Sequence, residues 1–198
     1  MQKRGTLEHI LSSCSKALGE GRYRWRHDQV LKVLADFICT AIQHSKTQVA
    51  PKQSITFIRA GQKEQYHRPS STGGLHRHHR SRLAAPIRQL KFPGYITATS
   101  LRPDMVLPSE STKQVVILEL TVPWEDRIEE AHECKRAKYA ELSSECRNNG
   151  WKARCEPVEV GCRGFAGRSL LRTLKLLGVK GLQLKKATTN ILEAAERA

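Results

Sequence analysis

No run of about eighteen apolar residues exists in the chain, and no apolar core follows its first methionine, so the sequence shows neither a membrane-spanning helix nor a secretory signal. It also lacks any Cys-x-x-Cys pair: its six cysteines are scattered at 14, 39, 134, 146, 155 and 162. In a chain that does not look secreted, reduced thiols are the expectation, with Cys39 and Cys146 as small core residues on apolar helical faces. Acids are scarce as well: 19 Asp and Glu stand against 34 Lys and Arg, for a formal charge of +15. Such a balance makes a polyanion the natural partner, usually nucleic acid (DNA or RNA), against the plainer alternative of a basic ribosomal or merely soluble protein. At 198 residues the chain fits one domain with a genuine core.

Apolar residues at Val30, Leu31, Val33, Leu34, Phe37, Ile38, Ala41 and Ile42 carry the period of an amphipathic helix over 27–42, with "RYRWRHD" leading in and Asp28 in the first turn. Between 46 and 92 the character changes. "SITFIRA" reads as a short strand, and the Arg-, His-, Ser- and Gly-rich tract 61–90, including "LHRHHR", as a mobile basic loop. Two extended runs, 102–107 and 115–122, flank "LPSESTKQ", which has turn chemistry, and form a β-hairpin. A helix over 126–147 ends at "NNG", a strand spans 152–162, and helices follow over 167–178 and 185–197. Leu170, Leu171, Leu174 and Leu177 share one face of the first of these. This order predicts an α/β domain with a small mixed β-sheet flanked by helices. Trp25, Trp124 and Trp151 are read as core or strand-end anchors rather than as base-stacking platforms.

One acid is out of place. Glu119 interrupts the buried-strand run "VVILELTV", and carboxylates are rarely buried unless paired or bound to metal. Asp104 lies in the preceding strand, so the hairpin can bring both carboxylates to one face, where a divalent cation such as Mg²⁺ relieves their repulsion. On the helix that follows, steps of roughly 100° per residue put Ile128, Ala131, Tyr139, Leu142 and Cys146 on one stripe. Lys135 falls in the middle of that stripe and Lys138 at its edge. A core-facing lysine is unusual; the bland reading is a stem that covers apolar surface while the amine reaches water. Two acids, a cation and a lysine would together suit phosphodiester hydrolysis.

The stretches "RPD" (102–104), "ELTVPWE" (119–125) and "KRAKY" (135–139) resemble the PD-(D/E)xK nuclease superfamily. They resemble more closely the restriction-like endonuclease domain at the C-terminus of site-specific non-LTR retrotransposon polyproteins, where it follows a reverse transcriptase and a CCHC zinc knuckle. Arg26-His27-Asp28, Arg102-Pro103-Asp104, Glu119 and Lys135-x-x-Lys138-Tyr139 follow that family's order. His9 and Cys14 in "TLEHILSSC" resemble the last two ligands of the knuckle, and "VEVGCRGFAGRSL" (158–170) also resembles the family. Two departures stand out. The superfamily's ExK is Glu119-Leu120-Thr121 here, so the lysine must come from the helix, and 61–90 is unlike the relatives.

The resemblance implies a restriction-endonuclease-like αβββαβ core and a metal-dependent DNA endonuclease that nicks target DNA in the nucleus. Asp104 and Glu119 would bind Mg²⁺ (or Mn²⁺), and Lys135 or Lys138 would assist catalysis. Arg26, His27, Asp28, Arg102 and Tyr139 would support the site or contact DNA. It further implies a division into a knuckle remnant (1–20) without its own Zn²⁺, a nuclease domain (21–178) with the basic insert, and a C-terminal helix (179–198), as in a fragment or relic of such an element. A catalytically inactive nucleic-acid-binding remnant is the alternative.

Overall fold

The computed structural model describes residues 5–47 and 92–198. "SITFIRA", the basic tract 61–90 and its histidines lie outside the described residues. Along the chain run a single π-helical turn (His9–Ser13), α1 (Ser15–Gly19), α2 (Arg22–Thr47), β1 (Met105–Ser109) and β2 (Gln114–Thr121). Then follow a 3₁₀ turn (Glu125–Arg127), α3 (Ile128–Lys138), α4 (Ala140–Asn148), β3 (Lys152–Gly161), β4 (Phe165–Ala166), α5 (Arg168–Leu176) and α6 (Gly181–Arg197). The expected mixed α/β architecture holds: among the described residues one four-stranded sheet, ordered β1-β2-β3-β4, packs against helices. Before α3, two strands are seen among the described residues.

β1 and β2 form the expected antiparallel hairpin, with Met105 opposite Leu118 and Ser109 opposite Gln114. Its turn ends at Lys113, whose positive φ of 51° is unusual for a side chain larger than glycine. Lys113 O accepts the Lys152 N–H at 2.7 Å and its ammonium lies 4.9 Å from the Trp151 ring centre, so β3 holds the turn in that conformation. β2 and β3 are parallel, with Glu119 beside Pro157 and Thr121 beside Glu159, and α3 and α4 make the crossover between them.

Both faces of β2 are covered over Val115–Leu120, which is why that run is apolar, Glu119 excepted, rather than alternating. Val115 and Ile117 pack with Tyr139, Leu142, Cys146 and Trp151 under α3 and α4. Leu118 and Leu120 face the opposite way, into a larger core with α2, α5 and α6. The period of two therefore directs Glu119 and Thr121 beneath α3. The C-terminal helix belongs to that larger core through Ala187, Ile191 and Ala195, each fully buried.

Several boundaries differ from those read in the sequence. α2 begins at Arg22, so "RYRWRHD" is its first turns and Asp28 sits in the helix interior. The single helix expected over 126–147 is divided at Tyr139, although hydrogen bonds from Tyr139 N–H to Lys135 O and from Ser143 N–H to Tyr139 O carry across. Asp104 lies just before β1 rather than within it. The two-residue β4 is too short to leave a periodic signal. Leu171 is 36% exposed, while Leu170 and Leu174 are fully buried, because the inward face of α5 is completed by Thr173 instead. Cys39 is half-buried and Cys146 buried, and all six cysteines are free. Trp151 is a core anchor and Trp124 half-buried, but Trp25 is exposed. Among the described residues no helix is long and apolar enough to cross a membrane.

Leu174→Ala is expected to destabilise the fold by about 2–5 kcal/mol, because it opens a cavity in the main core. Leu171→Ala should stay within about 0.5 kcal/mol of wild type. Urea denaturation of both variants checks the assignment.

Candidate active site

Glu119 is the centre of the site. It is 4% exposed, so both carboxylate oxygens need partners. Oε1 accepts from the Lys135 ammonium at 2.7 Å and from that of Lys138 at 3.3 Å. Oε2 accepts from the Tyr139 hydroxyl at 2.8 Å and from the Asp104 backbone N–H at 3.2 Å. The donors arrive from α3, from its junction with α4 and from the chain entering β1. The protein thus satisfies this buried acid with its own groups. The spacing Lys-x-x-Lys-Tyr delivers three of them because residues three and four apart share a helix face.

Asp104 is tied in return. Its Oδ2 accepts the Leu120 N–H at 2.8 Å and stands 3.2 Å from His27 Nε2. The two acids are therefore cross-linked through the backbone: Glu119 accepts the N–H of Asp104, and Asp104 accepts that of Leu120, the residue after Glu119. Among the described residues, Asp104 Oδ1 accepts no hydrogen bond. His27 lies between two carboxylates, with Nδ1 3.4 Å from Asp28. Burial works against its charged form, but the hydrogen bond and charge of Asp104, assisted by Asp28, prevail and raise its pKa above the ordinary histidine value. The Tyr139 hydroxyl is pushed strongly upward by burial and by the Glu119 carboxylate, so it donates rather than ionises. Nearby, burial and Glu119 push the Cys155 thiol up to about 11, leaving it protonated and unreactive.

Of the residues singled out in the sequence, Asp104, Glu119, Lys135, Lys138, Tyr139 and His27 converge, with Asp28 behind His27. Lys135 is closer to Glu119 than Lys138 is, and its side chain is 24% exposed against 43%. Arg102 is exposed. Arg26 does not reach the acids: it is buried, and its guanidinium donates to Leu11 O at 2.8 Å. His9 and Cys14 stand apart from this cluster. His9 Nδ1 lies 3.4 Å from Ser13 Oγ, and the Cys14 backbone N–H donates to the Tyr23 hydroxyl. Among the described residues no group of three or more His, Cys, Asp or Glu side chains is arranged to hold a metal, so Asp104 and Glu119 stand as a pair.

A second buried acid lies on the same face of the sheet. Glu159 is 1% exposed; its Oε2 stands 3.1 Å from His132 Nδ1 and accepts the Ser169 hydroxyl, while Oε1 has no hydrogen-bond partner among the described residues. The signal was present in "PVEVG", an acid inside an apolar strand like "LEL", and His132 precedes Lys135 by one helical turn. Gly167 makes this corner possible, since a Cβ there would sit 2.6 Å from Glu159 O. The loop after β2 is closed by Glu125, which accepts the Arg163 N–H at 3.0 Å and its guanidinium at 2.9 Å. Gly161 leaves room for that carboxylate, which would lie 2.7 Å from any Cβ.

No protein-family model and no curated protein matches the chain.

Tyr139→Phe removes a donor from a buried carboxylate and should cost about 1–3 kcal/mol in chemical denaturation, with the backbone trace unchanged. A second expectation concerns pH. Burial opposes ionisation of Glu125, but the Arg163 N–H and guanidinium outweigh it and hold its pKa below the ordinary value of 4.5. A carboxyl depressed in the folded state stabilises fully above its unfolded value and loses that contribution as pH falls through the folded one. Thermal melts should therefore show wild type above Glu125→Gln at pH 7, with the gap closing below about pH 4.5. A gap that is constant with pH refutes the ion pair.

Proposed function

We propose that the chain is a metal-dependent DNA endonuclease domain of retrotransposon descent that nicks its target by phosphodiester hydrolysis. The observation that carries this is the linkage of Asp104 and Glu119, with the Asp104 N–H donated to Glu119 and the Leu120 N–H to Asp104, and the Lys135 ammonium 2.7 Å from Glu119. The donor set fits a hard cation such as Mg²⁺ or Mn²⁺, which is held in nucleic-acid enzymes by one or two carboxylates with water and substrate phosphates. Asp104, with Oδ1 open among the described residues, and Glu119 would hold it. When bound, such an ion polarises a phosphoryl oxygen and lowers the pKa of a water nucleophile.

The chain's own groups do the rest. His27 and the Leu120 N–H fix the orientation of Asp104, and Tyr139 and the Asp104 N–H fix that of Glu119. Lys135 keeps a positive charge beside the acids, where charge grows on the phosphate in the transition state. Lys138, more exposed than Lys135, and the exposed Arg102 would meet the strand as it approaches. The +15 charge of the chain provides the sequence-independent grip on the backbone. Nuclear location belongs to the same reading.

A second reading, a nucleic-acid-binding remnant without catalysis, is favoured by the fact that both Glu119 oxygens are already taken by the protein's own donors. Nicking of supercoiled plasmid with Mg²⁺ decides between them. The nuclease reading expects Asp104→Ala and Lys135→Met each to lose at least about 100-fold in rate. Equal activity in wild type and Asp104→Ala rejects it. DNA binding that is steeply salt-dependent, with no metal-dependent product, supports the remnant.

A further inference from the structure

Arg26 poses the problem of Glu119 with the opposite sign. It is 6% exposed, yet among the described residues it makes no ion pair. Its guanidinium has Leu11 O at 2.8 Å and the Tyr23 ring at 5.9 Å, and its buried Nε has no hydrogen-bond partner among the described residues. Buried charges are ordinarily paired, and an unpartnered buried donor is costly. A carbonyl and an aromatic ring neutralise no charge.

The same guanidinium lines a cavity of about 250 Å³ between the N-terminal turn, the start of α2 and the segment that leaves β2. Ser12, Tyr23, Trp124 and Arg127 line it too. The Arg127 side chain is exposed and is likewise without an ion pair among the described residues. Among the described residues no carboxylate lines the cavity. A site with two arginines, two aromatic rings and a hydroxyl suits an anionic group carried on a flat or sugar-like body. Arginine forks match phosphate oxygens in particular; the Arg163 guanidinium lies 4.4 Å from the Trp124 ring centre, so that ring has only its other face for a base. The volume is below the roughly 300–1,000 Å³ typical of pockets for whole ligands, so it suits a single phosphate with its adjoining sugar or base.

The cavity also adjoins the acids along the chain. Arg26 immediately precedes His27, and on a helix consecutive side chains diverge by about 100°, so one turns to Asp104 while the other turns to the cavity. Val122 and Trp124 continue the strand that bears Glu119.

We propose that this cavity is a phosphate-binding subsite in which Arg26 and Arg127 grip one phosphate group. Its identification as a phosphate of the nucleic-acid strand, rather than of a free nucleotide, rests on the nucleic-acid reading above. The subsite positions the strand beside the acids and takes no part in bond cleavage. Arg26 also holds the N-terminal turn, so Arg127→Gln carries the test. Binding of a fluorescein-labelled twelve-nucleotide single strand to the full chain is followed by anisotropy in EDTA, where cleavage cannot contribute. Lys186→Gln, an equal loss of charge on α6, is the control. Arg127→Gln should weaken binding about tenfold and lower the dependence of log K on log salt by about 0.7, the loss of one phosphate contact. Inorganic phosphate and dTMP are titrated as competitors. If they displace the strand from wild type and not from Arg127→Gln, the site accepts free phosphates as well; if neither competes, it is specific to the strand. Arg127→Gln that binds no more weakly than Lys186→Gln overturns the subsite. That result leaves the nuclease reading standing, since the latter is decided by metal-dependent nicking and not by binding.

Discussion

A carboxylate inside a sheet covered on both faces must find its hydrogen bonds on neighbouring elements, and Glu119 finds them on three sides. Lys135 and Lys138 descend from α3, Tyr139 comes from the α3–α4 junction, and the backbone of Asp104 approaches from the strand entry. Each contact fixes one element relative to β2. The register of β1 is set where the Asp104 N–H reaches the Glu119 carboxylate and the Leu120 N–H reaches that of Asp104, and the seat of α3 is set by two amines and a phenol. Removing the acid would leave two ammonium groups without their counter-charge, so the crossover helix and the central strand depend on one side chain.

The same solution recurs one strand over. Glu159, wholly buried on β3, draws His132 from α3 and Ser169 from the first turn of α5. α3 therefore meets the sheet largely through polar contacts, and none of its residues is fully buried, whereas α4 offers Leu142 and Cys146 to an apolar core. Polar seating of this kind is directional where hydrophobic packing is not, so it positions side chains within narrow limits. That is the property a proposed catalytic cluster requires. The unpaired Arg26 stands at the margin of this network, a cation for which the described chain supplies no acid.

Much of this was legible from residue order. Acids in "LEL" and "VEV" announce themselves because an apolar strand has no reason to carry them. Lys135 could be placed on the inner stripe of α3 because helical periodicity does not depend on what the helix packs against. Other features left no such mark. Tyr139 fits an apolar stripe whether its hydroxyl is used or not, and its bond to Glu119 appears only when the helix is laid on the sheet. Leu171 looks identical to Leu170 and Leu174 in sequence, but the width of the buried face is decided by how α5 sits between β3 and α6.

Taken by itself, the sequence determined the local terms: which segments are helical or extended, the mixed α/β class, the hairpin that joins Asp104 to Glu119, and the positive charge. These follow from periodicity, turn chemistry and composition, which act over a few residues at a time. Only the tertiary structure decided the partners. Oε1 of Glu119 went to the lysines and Oε2 to Tyr139 and the Asp104 backbone, Asp104 was brought to His27, and Arg26 was turned away from the acids. Those outcomes depend on distances between elements far apart in the chain, and no short-range rule specifies them.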